Sequence, residues 1–305
     1  MSGMARRDPA SWIRPVCGGG GRLFRSLVTG VTAVALSVPV CTGNPPAWTR
    51  PIAPFRVVGQ VYYVGTEGLA AYLIKTSDGA ILIDGTMAEN ASAIRRSIEA
   101  SGVPIGHVRI ILLSHAHFDH AGGLAALKRA SGARLMVGAG DAEAVRTGIP
   151  PGETSYGVIR FPAASVDRAV RDGDQVRLGD VMLTAHATPG HTPGCTSWSM
   201  RVKEGEKPLD VLFLCSLTVA GNRLVGNRRY PAIVADFRRS FASLMMMRAD
   251  VVLPFHPETA AVLERHRRQM AGAMDAFVAP RLLPSLVLDA RAAFETELSK
   301  QLATR

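Results

Sequence analysis

Cysteine and aromatic residues are scarce in this sequence, and no apolar stretch is long enough to cross a membrane. Four cysteines in 305 residues exclude a small scaffold held together mainly by disulfides. An aromatic content of 6% leaves the excess of Arg and Lys without the interleaved rings on which single-stranded nucleic acid stacks. The most apolar uncharged stretch, residues 27–40, falls short of the roughly 20 residues that a spanning helix needs. We therefore expect neither nucleic acid nor a membrane to be a partner of the mature chain.

The first 43 residues are typical of a signal peptide. A basic beginning precedes the stretch 27–40, and small residues and then Asn44-Pro45-Pro46 follow it. The sequence therefore predicts a leader over residues 1–43, with Ala35 as an alternative cleavage point, and a periplasmic or secreted mature protein. Five Arg and one Asp of the leader account for part of the formal charge of +10, so the mature chain retains +6. That charge favours anionic substrates.

Hydrophobic residues make up 47% of the chain, enough for one large core, and we expect residues 44–305 to form a single domain. Strand-rich runs open this domain, strands and helices then alternate, and a second such group follows an irregular stretch, residues 148–168. This order predicts an α/β fold built as an αββα sandwich. The predicted strands are 55–64, 70–75, 80–83, 108–113, 134–137, 175–178, 181–187, 196–202, 211–214 and 251–253, and the predicted helices are 88–101, 122–130, 233–247, 259–277 and 285–302.

A cluster of metal-binding side chains follows the predicted strand 108–113. The run His115-Ala116-His117-Phe118-Asp119-His120 packs four possible ligands into six positions, and few structural reasons produce such a density. In an extended chain the His115 and His117 imidazoles project to one side, while Asp119 and His120 turn into the next helix and face a neighbouring point. Two adjacent metal ions can therefore share this loop.

Each metal still needs a further ligand, because catalytic zinc takes three protein groups and keeps one position open. His191 lies in a rigid Gly- and Pro-rich turn, and His256 ends the predicted strand 251–253. Both histidines lie at the ends of predicted strands, where the remaining ligands are expected. The other histidines lack such a setting and are interpreted as structural or surface residues: His107, His186 and His266.

These motifs resemble the metallo-β-lactamase superfamily. The likeness runs through Leu82-Ile83-Asp84-Gly85, the run His115–His120, Gly190-His191-Thr192-Pro193-Gly194 and His256, and it covers nearly all of residues 55–302. Because His120 directly follows Asp119, and because Ser216-Leu217-Thr218 stands after the strand 211–214, the chain is most similar to subclass B3. The resemblance implies the metallo-β-lactamase fold, an αββα sandwich, for a catalytic domain over residues 44–305.

The resemblance also implies two zinc ions and the residues that hold them. The same six ligands that residue counting suggests form two sets, His115, His117 and His191 for the first ion and Asp119, His120 and His256 for the second. Five imidazoles and one carboxylate suit zinc, although iron and manganese occupy related sites in this superfamily. Asp84 is implied as a buried carboxylate that braces the ligand loop rather than as a ligand.

The implied activity is hydrolysis of the β-lactam ring of penicillins, cephalosporins and carbapenems, which gives antibiotic resistance. A zinc-bound hydroxide would attack the lactam carbonyl, with Asp119 as the catalytic carboxylate that orients it. Ser216 and Thr218 are implied to bind the substrate carboxylate, and turn capping is their alternative role. We expect a monomer whose partner is a small β-lactam.

Position 215 distinguishes this chain from glyoxalase-type thioesterases and phosphodiesterases of the same superfamily. Those relatives place a metal-bridging aspartate there, whereas this chain has Cys215-Ser216. Hydrolysis of lactones or other esters is the alternative function, and a non-catalytic zinc protein is a third. Cys195 and Cys215 either form a disulfide or remain two buried thiols. The stretches 148–168 and 218–230 are predicted pocket walls, through apolar residues such as Ile149, Tyr156, Ile159 and Phe161.

Overall fold

The computed structural model describes residues 43–304. The predicted leader lies outside the described residues except for Gly43. Within them, a seven-stranded sheet is antiparallel over its first four strands and parallel over the last four. Its strands in spatial order are β1 (Phe55–Val58), β2 (Val61–Tyr63), β3 (Tyr72–Thr76), β4 (Gly79–Ile83), β5 (Val108–Leu112), β6 (Arg134–Gly138) and β7 (Arg168–Val170).

A second sheet of five strands packs face to face with the first. Its neighbours are antiparallel except at one edge, where the last strand runs parallel to the strand beside it. In spatial order the sheet consists of β12 (Val251–Pro254), β11 (Lys207–Leu214), β10 (Thr196–Glu204), β9 (Val181–Ala187) and β8 (Gln175–Leu178).

Helices cover the outer faces of both sheets. The described helices are α1 (Ala91–Ala100), α2 (Phe118–Ala121), α3 (Leu124–Ser131), α4 (Ala142–Thr147), α5 (Ile233–Met245), α6 (Val262–Met270) and α7 (Leu282–Ala303). The first sheet packs against α1 and α3 through one buried cluster, and the second sheet packs against α5 and α7 through another. The predicted αββα sandwich is confirmed.

The layers follow from strands that are apolar on both faces. Along β3, Tyr72 and Ile74 belong to the core between the sheets, whereas Leu73 belongs to the core beneath the helices. Successive side chains of a strand point to opposite faces, so an uninterrupted apolar run is buried only where both faces are covered. Strand β4 repeats this pattern, with Ile81 and Ile83 on the inner face and Leu82 on the outer face.

Two sequence predictions of elements were wrong in detail, and two elements were missed. The predicted strand 55–64 is two strands, because Gly59 adopts a positive φ of 49° and reverses the chain. The predicted helix 259–277 ends at Met270, and Gly272 follows with a φ of 97°. Strand β7 and helix α4 lie where the sequence indicated none. Among the described residues, no helix combines the length and apolar composition needed to cross a bilayer.

Cys195 and Cys215 form a disulfide with their Cα atoms 6.0 Å apart. The sequence left a disulfide and two free thiols open, and the structure contains the disulfide. It joins the turn that carries His191 to the end of β11, beside Ser216. Both cysteines are buried, so the cross-link lies within the packed interior beneath the candidate site.

Replacing both cysteines by alanine, Cys195→Ala with Cys215→Ala, should lower the free energy of unfolding by about 3 kcal/mol. The bond closes a loop of 20 residues, and its loss returns conformational freedom to the unfolded chain. Urea unfolding of the oxidised protein, the reduced protein and the double variant measures this. An unfolding midpoint shared by the oxidised protein and the double variant would contradict the expectation.

Candidate functional site

The six predicted ligands lie where three strands end. Strand β5 leads into the loop and short helix α2 that carry four of them, the turn between β9 and β10 carries His191, and β12 leads into His256. A loop at a strand end can aim side chains at one point while the sheets hold its two ends in place. The structure brings all six together in two adjacent groups of three.

The first triad consists of His115, His117 and His191, all buried, with ligand atoms within 4.8 Å of one another. The Nε2 atoms of His115 and His191 are 3.1 Å apart. His117 Nε2 is also buried and has no hydrogen-bond partner among the described residues. Native proteins rarely leave such an atom unpaired, so the His117 ring has binding capacity that the described residues do not use.

The second triad consists of Asp119, His120 and His256, again within 4.8 Å of one another. Asp119 Oδ2 lies 3.3 Å from His120 Nε2 and 3.4 Å from His256 Nε2. The two imidazole nitrogens are themselves 3.3 Å apart. The triads are neighbours, because the rings of His115 and His120 lie 4.1 Å apart between centroids.

Burial and neighbouring charges set the protonation of these groups. Burial lowers the pKa of His117 to about 4 and holds the pKa values of His115 and His191 well below the usual range. Those three imidazoles are therefore neutral near pH 7, the form that binds metal. Burial raises the pKa of Asp119, but His120 and His256 outweigh burial and hold it well below its ordinary value.

The second triad favours a positive charge. Burial alone would lower the pKa of His120, yet the adjacent Asp119 and Asp84 carboxylates raise it to about 10. The first triad thus offers three imidazole nitrogens, and the second offers two imidazole nitrogens and one carboxylate oxygen. This donor set, together with the unpaired His117 Nε2, fits a divalent metal ion at each triad.

Asp84 holds the loop that carries four ligands. Its Oδ1 accepts the Ser114 backbone N–H at 2.7 Å, and its Oδ2 lies 2.6 Å from Ser114 Oγ and 3.0 Å from His120 Nδ1. Burial raises the pKa of Asp84, while His120 and Ser114 oppose that rise. A hydrogen bond at Nδ1 fixes the ring of His120 and leaves Nε2 for a metal. The contacts agree with the predicted bracing role.

Asp141 is a buried carboxylate that the sequence did not single out. It lies after β6 and accepts hydrogen bonds from the Ala116 and Gly194 backbones and from the Thr192 hydroxyl. A lone aspartate behind a strand carries no motif, so only its tertiary contacts reveal it. Trp48 was also missed, and its ring packs 5.6 Å from that of His256.

Ser216 and Thr218 lie beside the first triad. Their hydroxyl oxygens are 3.1 Å apart, and the Thr218 carbonyl lies 2.7 Å from His191 Nδ1. The Thr218 N–H also donates to Ser216 Oγ over 3.4 Å. This contact within the turn is of the kind expected from turn capping, the alternative role of the two residues. Ser216 is partly exposed and Thr218 is exposed, and their contact with a substrate stays a prediction.

The two irregular stretches pair with each other across the site. Ser155 N–H donates to the Gly221 carbonyl at 2.8 Å, and Arg223 N–H donates to the Glu153 carbonyl at 2.9 Å. Tyr156, at the tip of the first stretch, is 49% exposed. The tip forms a cleft beside His117, and the residues that line this cleft include Pro150, Val158 and Ile159.

The prediction that Phe161 lines the pocket wall was wrong. It is only 7% exposed and belongs to the core beneath α1 and α3.

The fold and the site together define a metal-dependent hydrolase: an αββα sandwich whose strand ends present two adjacent metal-binding triads. The chain belongs to the metallo-beta-lactamase superfamily, whose sequence profile matches residues 65–256.

Solved structures of subclass B3 enzymes are similar over most of the chain. BJP-1, a subclass B3 metallo-beta-lactamase of Bradyrhizobium japonicum, is 42% identical, with a TM-score of 0.80 over 85% of this chain and 98% of that one. The FEZ-1 metallo-beta-lactamase of Legionella gormanii is 35% identical, with a TM-score of 0.78 over 83% and 98% of the two chains. The predicted resemblance to subclass B3 is confirmed.

A curated relative carries a different name. The hydroxyacylglutathione hydrolase of Anaeromyxobacter dehalogenans is 32% identical over 188 residues, which is 61% of this chain and 59% of that protein. The chain thus spans about three fifths of the length of this relative.

Removing one ligand should empty one triad. We expect wild-type protein to bind two equivalents of divalent metal, and both His117→Ala and Asp119→Ala to lose about one equivalent while keeping the fold. His266→Ala is the matched control, because this histidine stacks on Phe55 and belongs to neither triad. Metal content after equilibrium dialysis measures the number of bound equivalents, and circular dichroism checks that each variant is folded. Full metal content in both ligand variants would show that these side chains are not ligands.

Proposed function

We propose that this protein is a two-zinc β-lactamase that opens the lactam ring of penicillins, cephalosporins and carbapenems. The observation that carries the proposal is the pair of adjacent triads beside Ser216 and Thr218, in a chain similar to subclass B3 enzymes over nearly their whole length. Bound zinc supplies a Lewis acid and lowers the pKa of water toward about 7, so that a nucleophile is available at neutral pH.

The side chains of the site have separate tasks in this reaction. Asp119 turns Oδ2 toward His120 and His256, and its other oxygen can accept a hydrogen bond from the attacking water and orient it. Ser216 and Thr218 donate to the substrate carboxylate through their hydroxyls. The Thr218 carbonyl meanwhile holds His191 Nδ1, so that the residue beside the substrate also orients a ligand.

The state of Cys215 supports the lactam over a thioester substrate. Its sulfur is bonded to Cys195, so position 215 provides neither a bridging carboxylate nor a thiolate ligand, although both sulfurs lie near His115. The second candidate is hydrolysis of lactones or other esters, thioesters included, and similarity to a hydroxyacylglutathione hydrolase favours it. Both candidates use the same ligands.

The predicted leader and the disulfide support a periplasmic or secreted location, because disulfides persist in oxidising compartments. In that location the enzyme would meet β-lactam antibiotics and confer resistance. The proposal includes a monomer, with a small molecule as its partner.

Purified mature protein should hydrolyse a chromogenic cephalosporin and a carbapenem, lose the activity to a chelator and regain it with zinc. S-hydroxyacylglutathione and a lactone are assayed in parallel. Absence of lactam turnover by folded protein that binds two zinc ions would overturn the lactamase proposal. Turnover of the thioester or lactone under those conditions would favour the second candidate.

Ser216→Ala should mainly raise KM for β-lactams, by about tenfold, with little change in kcat. The lost hydroxyl hydrogen bond to a charged carboxylate is worth about 1.5 kcal/mol or more, and it acts in the ground state and the transition state alike. Ser199→Ala is the control. This serine lies on β10 and bonds His186 of the neighbouring strand β9, away from the site. A fall in kcat at constant KM would contradict the carboxylate contact.

A further inference from the structure

Asp141 connects the two chain segments that form the first triad. Its Oδ2 accepts the Ala116 backbone N–H at 2.8 Å and the Thr192 hydroxyl at 2.7 Å, and its Oδ1 accepts the Gly194 N–H at 2.8 Å. Ala116 stands between His115 and His117, and Thr192 follows His191. One fully buried carboxylate thus bonds next to all three ligands of one triad.

The backbone around Asp141 meets the His191 turn at van der Waals contact. A Cβ added to Gly140 would lie 2.4 Å from the Pro193 carbonyl oxygen, and one added to Gly194 would lie 2.2 Å from the Asp141 backbone nitrogen. Neither position therefore tolerates a side chain unless the backbone moves. Two glycines permit the approach, and the carboxylate supplies the hydrogen bonds across it.

Asp84 and Asp141 act on different halves of the site. Asp84 bonds Ser114 and the second-triad residue His120, whereas Asp141 bonds Ala116, Thr192 and Gly194. Within residues 43–304 the two carboxylates share no hydrogen-bond partner. Asp84 bonds the second triad directly and reaches the first only through Ser114 Oγ, which lies 3.1 Å from His115 Nδ1, whereas Asp141 bonds only the segments of the first triad.

We propose that Asp141 is a positioning residue for the first metal site, which holds the His115–His117 loop and the His191 turn at the separation that one metal ion requires. The substitution Asp141→Asn removes an acceptor without changing the shape of the side chain. Its amide nitrogen must then face either the Ala116 N–H or the Gly194 N–H, and two donors in contact push the segments apart. This role concerns metal binding and does not depend on which substrate the enzyme hydrolyses.

The test measures both metal sites separately. Zinc dissociation constants come from competition with a chromophoric chelator, and the Co²⁺ absorption spectrum reports the coordination of each site. His191→Ala and His256→Ala identify which constant and which band belong to each triad. For Asp141→Asn we expect a 10- to 100-fold weaker first site, an altered first-site spectrum and an unchanged second site. Asp84→Asn should weaken the second site more than the first, because Asp84 bonds His120 directly and His115 only through Ser114.

Asp167→Asn is the control, because this carboxylate accepts hydrogen bonds from Lys128 and the Leu135 backbone N–H and contacts neither ligand segment. It should leave both zinc constants unchanged. Thr192→Val removes one donor to Asp141 and keeps the shape, so it should weaken the first site several-fold even if Asp141→Asn does not fold. Unchanged zinc binding, or an equal loss at both sites, in the folded variants would overturn the proposal.

Discussion

The convergence of lone pairs in a buried space is the constraint on which the rest of the structure depends. Five imidazoles and one carboxylate bring their ligand atoms together in two groups of three, and His117 Nε2 has no hydrogen-bond partner among the described residues. Without a cation this arrangement is costly, because buried polar atoms normally require partners. The surrounding chain must therefore hold the six side chains in place, and metal binding offsets the cost when it occurs.

The fold meets this constraint by placing every ligand segment at the end of a rigid element. Strand β12 is buried on both faces, β5 nearly so, and β9 on its inner face, so the ends of these strands cannot shift independently of the core. Asp84 joins loops of the first sheet, the disulfide joins loops of the second, and Asp141 connects the two sheets by bonding both the Ala116 loop and the Thr192–Gly194 turn. These three links lie directly beneath the ligands, where a displacement of a fraction of an ångström changes metal geometry.

The parts of the molecule that we propose to select the substrate differ from those that bind metal. Curated relatives that match part of this chain are named hydroxyacylglutathione hydrolases. In this chain position 215 is a bonded cysteine, and the stretches 148–168 and 218–230 pair by backbone hydrogen bonds beside the site. Loops can vary in this way without altering the sandwich.

The sequence by itself determined the αββα order and the short-range cluster His115–His120, because apolar periodicity and ligand spacing are local properties that survive without coordinates. It also indicated His191 and His256, through the unmet ligand demand of that cluster. Only the tertiary structure decided that Cys195 meets Cys215, that Phe161 packs inward and that Asp141 joins two ligand segments. Each of these contacts joins residues far apart in the chain. A local sequence pattern cannot predict them, because they form only where loops approach one another after the sheets have packed.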